Sequence, residues 1–136
     1  MSETRRLAAE YRRTTGQTLP VSADLAQYDA CRLLNLSKPE ELFSGVDAVK
    51  GALKIQIKGR VIFDAAKMNQ RIGQLNDKGL WDAIYLVLFN ENYEPTAIYA
   101  ADRKKLGDVI SRKSKNSRGA MTVKKFTALS KKIWSS

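Results

Sequence analysis

Within the stretch Gly45–Arg60, GVDAVKGALKIQIKGR, three residues have the types and spacing for phosphate chemistry: Asp47, Gln56 and Lys58. A carboxylate and an amide oxygen are hard donors of the kind that Mg²⁺ or Mn²⁺ accepts. A lysine ammonium is a compact cation with three donors, suited to a phosphate or to an attacking water. Together they suggest a site that holds a divalent ion beside a phosphate.

That chemistry requires elements that bring the three residues together. The stretch reads as two short strands joined by a tight turn at Lys50-Gly51. Side chains alternate along a strand, so Gln56 and Lys58 share one face while Ile55 and Ile57 take the other. Folding back at the turn brings Asp47, on the first strand, beside the polar face. The alternation K-I-Q-I-K-G-R is also that of any half-buried strand, and a solvated sheet face is the competing reading. Upstream, Ser22 is an expected N-cap for a helix to about Asn35, with Ala23, Ala26, Ala30, Leu33 and Leu34 as its buried stripe. Downstream, Ala83–Phe89 (AIYLVLF) is apolar enough for a central strand, and Thr96–Ala100 returns antiparallel to it.

The spacing Asp-x(8)-Gln-x-Lys in a strand–turn–strand setting resembles the core of the PD-(D/E)XK, or restriction-endonuclease-like, nuclease superfamily. The resemblance is closest to the branch with Gln at the second position, as in Mrr-like restriction nucleases, and covers roughly residues 21–100. Gly45-Val46 stands where that pattern has a proline, and Gln56 where an acid is usual. The resemblance implies a metal-dependent endonuclease with Asp47, Gln56 and Lys58 as catalytic residues. Asp47, Gln56 and the Ile57 carbonyl would hold Mg²⁺ or Mn²⁺, and Lys58 would orient the water and offset transition-state charge. Gln27, on the preceding helix, matches a position that often carries a supporting Glu.

Composition narrows the alternatives. The chain has 136 residues, long enough for one domain (1–136) with its own core, and a net charge of +10. Residues 101–136 hold eleven Lys or Arg against Asp102 and Asp108, whereas residues 1–100 are nearly neutral. A basic final third points to a polyanion partner. There is no histidine and a single cysteine, Cys31, which argues against a zinc centre, a histidine-based triad or an internal disulfide. Cys31 falls in an apolar helical pattern and reads as core. No apolar run approaches the length of about 18 residues needed to span a membrane. The N-terminus lacks the apolar core of a signal peptide, so the cytoplasm is the default location.

Elsewhere, residues 3–14 read as a helix with Leu7, Ala8 and Tyr11 as its apolar side. Its two basic rows are Arg5/Arg12 and Arg6/Arg13, and Glu10 reaches the site if this helix packs beside it. Leu42 or Phe43 is expected to plug into the core. Residues 64–81 lack periodicity and read as a long functional loop containing Arg71. Two C-terminal helices are expected at 101–111 and 123–134, the second capped by Thr122 and anchored by Trp134. The expected fold is α/β: a mixed sheet of four strands or slightly more (45–49, 53–62, 83–89, 96–100), flanked by helices. Nucleic acid, DNA ahead of RNA, is the expected partner through Arg60, Arg71, Lys113, Lys115, Arg118, Lys124 and Lys125. Duplex cleavage by so small a chain calls for a homodimer or two successive events. The alternative is a nucleic-acid-binding module of the same fold whose Gln-containing site no longer cleaves.

Overall fold

The computed structural model describes residues 2–15, 21–74, 79–112 and 120–136. In chain order they form α1 (Ser2–Thr15), α2 (Ser22–Leu34), β1 (Ala48–Lys50) and β2 (Leu53–Val61). A short 3₁₀ helix (Ala65–Asn69), β3 (Arg71–Gln74), β4 (Ala83–Phe89) and β5 (Pro95–Asp102) follow. The chain ends with α3 (Arg103–Arg112), β6 (Ala120–Thr122), α4 (Val123–Leu129) and β7 (Lys131–Ser135).

The run AIYLVLF occupies the middle of a five-stranded sheet ordered β1-β2-β4-β5-β7, and every residue of it is buried. Only a strand covered on both faces tolerates so continuous an apolar sequence. Its odd-numbered residues, Ala83 to Phe89, join a core with Ala8 and Ala9 of α1 and Leu25, Ala26 and Ala30 of α2. Its even-numbered residues, Ile84, Leu86 and Leu88, join a second core with Ile72, Trp81, Leu106, Val123 and Phe126. The β2–β4 pairing is parallel and the other pairings in the sheet are antiparallel. The fold is therefore α/β, a mixed sheet with helices on its faces.

β2 follows the alternation of its sequence. Ile55, Ile57 and Val61 enter the core under α2, while Gln56, Lys58 and Arg60 are half-buried on the other side. The hairpin turn is Gly51-Ala52 rather than Lys50-Gly51, since Lys50 pairs with Leu53. Gly51 takes φ +62°, the left-handed conformation that such turns place on glycine. β1 is short, and its pairing ends at Ala48 opposite Ile55. Beyond Ile55, β2 has no strand on that side among the described residues.

Helix α2 lies directly on β2 at Gly59. A Cβ there would sit 2.7 Å from both the Ala26 Cβ and the Ser22 carbonyl oxygen. α2 begins without the expected cap: Val21 is the N-cap, it makes no side-chain capping bond, and Ser22 is already helical. Its buried side is Leu25, Ala26, Asp29 and Ala30, with Ala23 exposed. The shift follows from Asp29, a carboxylate that can be buried because Arg5 of α1 donates two hydrogen bonds to it, both at 2.9 Å. In α1, Ala8 and Ala9 face inward and Leu7 and Tyr11 are exposed, since only small side chains allow the close approach that the Arg5–Asp29 pair demands.

Two long-range pairings alter the expected outline. The expected helix 123–134 stops at Leu129, and β7 adds to the outer side of β5, with Trp134 opposite Ile98. Without β7 the backbone groups of β5 would form an unpaired edge. Thr122 does cap α4, its Oγ1 accepting from the Lys125 N–H at 3.1 Å. Within 64–81 the chain is not a plain loop: the 3₁₀ helix and β3 lie there, and β3 pairs with β6. Leu42 is fully exposed instead of plugging the core, while the half-buried Phe43 lies under the Lys54 ammonium. Among the described residues no helix is long and apolar enough to cross a membrane.

Candidate functional site

The site is built on the free side of β2. Asp47 immediately precedes β1, and its N–H donates to the Ile55 carbonyl at 2.8 Å. Its carboxylate then turns toward β2 and accepts from the Ile57 N–H at 2.8 Å, standing in for a strand carbonyl. Asp47 is therefore held in the plane of the sheet, at its edge. The N–H and C=O of one residue in an extended strand point the same way, so the Ile57 carbonyl faces this edge too. From α2, Gln27 Nε2 donates to the other Asp47 oxygen at 3.4 Å, placing the residue that matched the supporting Glu at the carboxylate.

Gln56 and Lys58 border the same edge from the opposite face of β2. The Gln56 Oε1 is buried and has no hydrogen-bond partner among the described residues. A buried amide oxygen left so carries a desolvation cost unless something outside the chain fills it. Lys58 is half-buried and makes no ion pair among the described residues. Burial pulls its pKa below the usual lysine range, the neighbouring Arg60 pulls the same way, and Asp47 pulls it back up. The Asp47 carboxylate thus lies within electrostatic reach of Lys58 without neutralising it by direct contact.

The oxygens this region could offer a divalent cation are the Asp47 carboxylate, the Ile57 carbonyl at the edge and, on the opposite face of β2, the Gln56 amide oxygen. Each oxygen of Asp47 keeps lone-pair capacity beyond the hydrogen bond it accepts. Among the described residues no three His, Cys, Asp or Glu side chains gather as a metal cluster. The donor set is therefore low in charge, and phosphate oxygens would have to complete it.

The remaining candidates divide. Glu10 pairs with Arg6 on the outer side of α1, and α1 docks at the other end of β2, where Arg12 lies over Phe63 and bonds the Glu91 carbonyl. The Arg5/Arg12 row is thus used inside the molecule rather than presented to phosphates. Gly59 serves the close approach of α2. Arg60 donates to the Arg71 carbonyl at 2.9 Å and to the Gly59 carbonyl at 2.6 Å. Arg71 is in register with Thr122, which caps the turn carrying Lys124 and Lys125. The backbone of Arg71 thus links Arg60 to the start of α4, which carries Lys124 and Lys125 more than fifty residues further along the chain. Lys113, Lys115 and Arg118 lie outside the described residues.

One part of the site was not foreseen. A groove of about 590 Å³ runs along α2 and ends at Asp47, lined by Asp24, Gln27, Tyr28, Cys31, Arg32 and Lys38, among others. In sequence, Asp24/Tyr28 and Gln27/Cys31 show only the i, i+4 spacing of a helix's polar side. Cys31 is not poised as a nucleophile there, since burial, and to a lesser degree Asp47, push its thiol pKa up against the opposing Lys38. Compared with known proteins, the chain matches no family model and none of the curated proteins, which leaves the chemistry of the site to be read from its own residues.

Proposed function

We propose that this chain is a divalent-metal-dependent nuclease related to the PD-(D/E)XK superfamily, acting on DNA in preference to RNA. The observation that carries this is a half-buried Lys58 that makes no ion pair among the described residues yet lies within electrostatic reach of the Asp47 carboxylate at the β2 edge, with a buried Gln56 oxygen, also unpartnered among the described residues, two positions before it. In this reading Asp47, Gln56 and the Ile57 carbonyl would hold Mg²⁺ or Mn²⁺, and the ion when bound would supply Lewis-acid chemistry for phosphodiester hydrolysis. Lys58 aligns the attacking water and meets the charge that builds on the phosphate. Gln27 fixes the orientation of the Asp47 carboxylate. The surface of Arg60, Arg71, Lys124 and Lys125 takes flanking phosphates. Affinity should therefore fall with salt, each neutralised phosphate adding about −0.9 to the slope of log K against log salt for duplex DNA.

One observation favours a binding module that does not cleave: Asp47 is the only carboxylate of the set, and both of its oxygens already accept hydrogen bonds. The two readings separate in a single assay. Supercoiled plasmid and single-stranded DNA are incubated with Mg²⁺ or Mn²⁺, with and without chelator. A nuclease nicks or degrades them only with metal. Asp47→Ala then abolishes cleavage, and Lys58→Ala lowers the rate by about 10²-fold or more while DNA is still bound. DNA binding by wild-type protein that never cleaves under any of these conditions would leave the binding module.

A further inference from the structure

At the far end of the same β2 edge lies a smaller cavity of about 140 Å³, lined by Ser22, Arg60, Phe63, Lys67 and Gln70, with Val61 and Tyr93 as buried walls. Two of its lining residues are cations and none is a carboxylate. The acids nearby are turned to other tasks. Asp64 accepts from the Lys67 backbone N–H at 3.3 Å, and Glu91 faces Arg12 at 3.9 Å. Lys67 holds its ammonium 4.8 Å from the Phe63 ring centre, and Arg12 approaches the same ring at 5.3 Å. Among the described residues the cations around Phe63, Arg12, Arg60 and Lys67, outnumber the nearby acids Asp64 and Glu91. Burial lowers the Arg60 pKa, the expected direction for a guanidinium bonded to carbonyls rather than to a carboxylate.

We infer that this cavity takes a terminal phosphate monoester of a nucleic-acid strand, so that phosphorylated strand ends are the favoured ligand; the inference rests on the nucleic-acid reading above. A monoester carries about −1.5 to −2 charge at neutral pH and matches two cations better than a singly charged diester does. It also enters a small cavity from one side, whereas an internal phosphate needs an exit for the chain on both sides. Ile57 and Val61 mark the two ends of the edge, four residues apart, or about 13 Å along a strand. Asp47 and the cavity are therefore separated by a fixed distance, and an anchored end would set where the bond beside Asp47 falls.

The test is equilibrium binding in EDTA, read by fluorescence anisotropy, with oligonucleotides of one sequence ending in 5′-phosphate, 3′-phosphate or hydroxyl groups. One phosphorylated form should bind about tenfold more tightly than the hydroxyl form, the effect of one added charge-assisted hydrogen bond. In Lys67→Gln, and separately in Arg60→Gln, that ratio, measured within each variant, should fall to about one. Equal affinity of wild-type protein for all three ends, or a ratio that survives both substitutions, would overturn the inference. Calorimetry with inorganic phosphate alone distinguishes the sources of the ligand. If the free anion binds with a heat that Lys67→Gln removes while strand ends are bound alike, the cavity serves free phosphate and the strand-end assignment fails. Because this binding assay contains no metal, it reads the cavity independently of cleavage: end preference here together with no cleavage in the metal-containing plasmid assay would count against the nuclease and not the cavity. Cleavage without end preference would do the reverse.

Discussion

Two regions of the molecule bury polar or charged groups, one on helix α2 and one on strand β2, and they differ in whether partners for those groups lie among the described residues. Asp29 is fully buried and accepts two hydrogen bonds from Arg5 and a third from Arg32 at 3.1 Å, while Arg5 also donates to the Tyr93 carbonyl. On the β2 edge, Lys58 is half-buried without an ion pair and Gln56 buries an oxygen without a partner among the described residues. Both groups lose hydration on folding. Only the first recovers it through contacts within the chain, which is what a structural pair must do. The second leaves its desolvation uncompensated among the described residues, as a binding site can. Burial of charge therefore does not distinguish architecture from function in this protein; satisfaction of the buried groups does.

The contrast can be broken most forcefully at Asp29. Asp29→Ala leaves Arg5 partly buried without its partner and should cost about 3–5 kcal/mol in urea denaturation. A loss below about 1 kcal/mol would mean the pair is not what ties α1 to α2. Gly59→Ala tests the packing that carries Gln27 to Asp47. The new methyl meets Ala26 and the Ser22 carbonyl at 2.7 Å, so stability should fall by about 1–3 kcal/mol, with α2 displaced from β2. Metal-dependent activity should fall with it.

At Lys58 the expected sign reverses. Lys58→Met removes a half-buried cation and should stabilise the fold by about 1 kcal/mol at neutral pH while abolishing cleavage. Because the folded-state pKa of Lys58 lies below its ordinary value of 10.5, the unfolded chain binds the proton more tightly. Between the two values wild-type stability rises with pH, so the advantage of Lys58→Met should be complete below the folded-state pKa and shrink toward 10.5. Paired urea titrations at neutral and alkaline pH measure this difference, and an advantage independent of pH would contradict it. The smallest effect is expected from Gln56→Leu, which removes the buried oxygen and should stabilise by about 0.5 kcal/mol. The same change should weaken Mn²⁺ binding measured by electron paramagnetic resonance. If Mn²⁺ binding is unchanged, the Gln56 oxygen is not a ligand.

Elements whose signal is local were legible in the sequence. The alternation of β2, the unbroken apolar run of β4 and the Thr122 cap each follow from neighbours a few residues apart. The spacing of Asp47, Gln56 and Lys58 could be read in the sequence, but the placement of Asp47 could not: it lies just before β1, with its N–H bonded to the Ile55 carbonyl. What depended on distant partners was not legible. Lys131–Ser135 fits a helical pattern through Phe126, Leu129 and Ile133, yet becomes β7 because β5 has an edge to pair. Asp29 has the type of a surface residue and is buried only because Arg5, 24 positions away, reaches it.

Residue order alone therefore fixes the hairpin, the central strand, the side chains available for chemistry and the excess of basic residues in the final third. Each is a matter of residue type and short-range periodicity, which the backbone converts into structure without reference to the rest of the chain. Long-range packing was needed to put Asp47 in the plane of the sheet edge, to leave Gln56 and Lys58 without partners among the described residues, and to link Arg60 through the Arg71 backbone to the start of α4. Those outcomes depend on where β1 stops, on how closely α2 approaches Gly59 and on which strand β3 meets. They are competitions for burial and hydrogen bonding between segments far apart in sequence, and no local pattern records the winner.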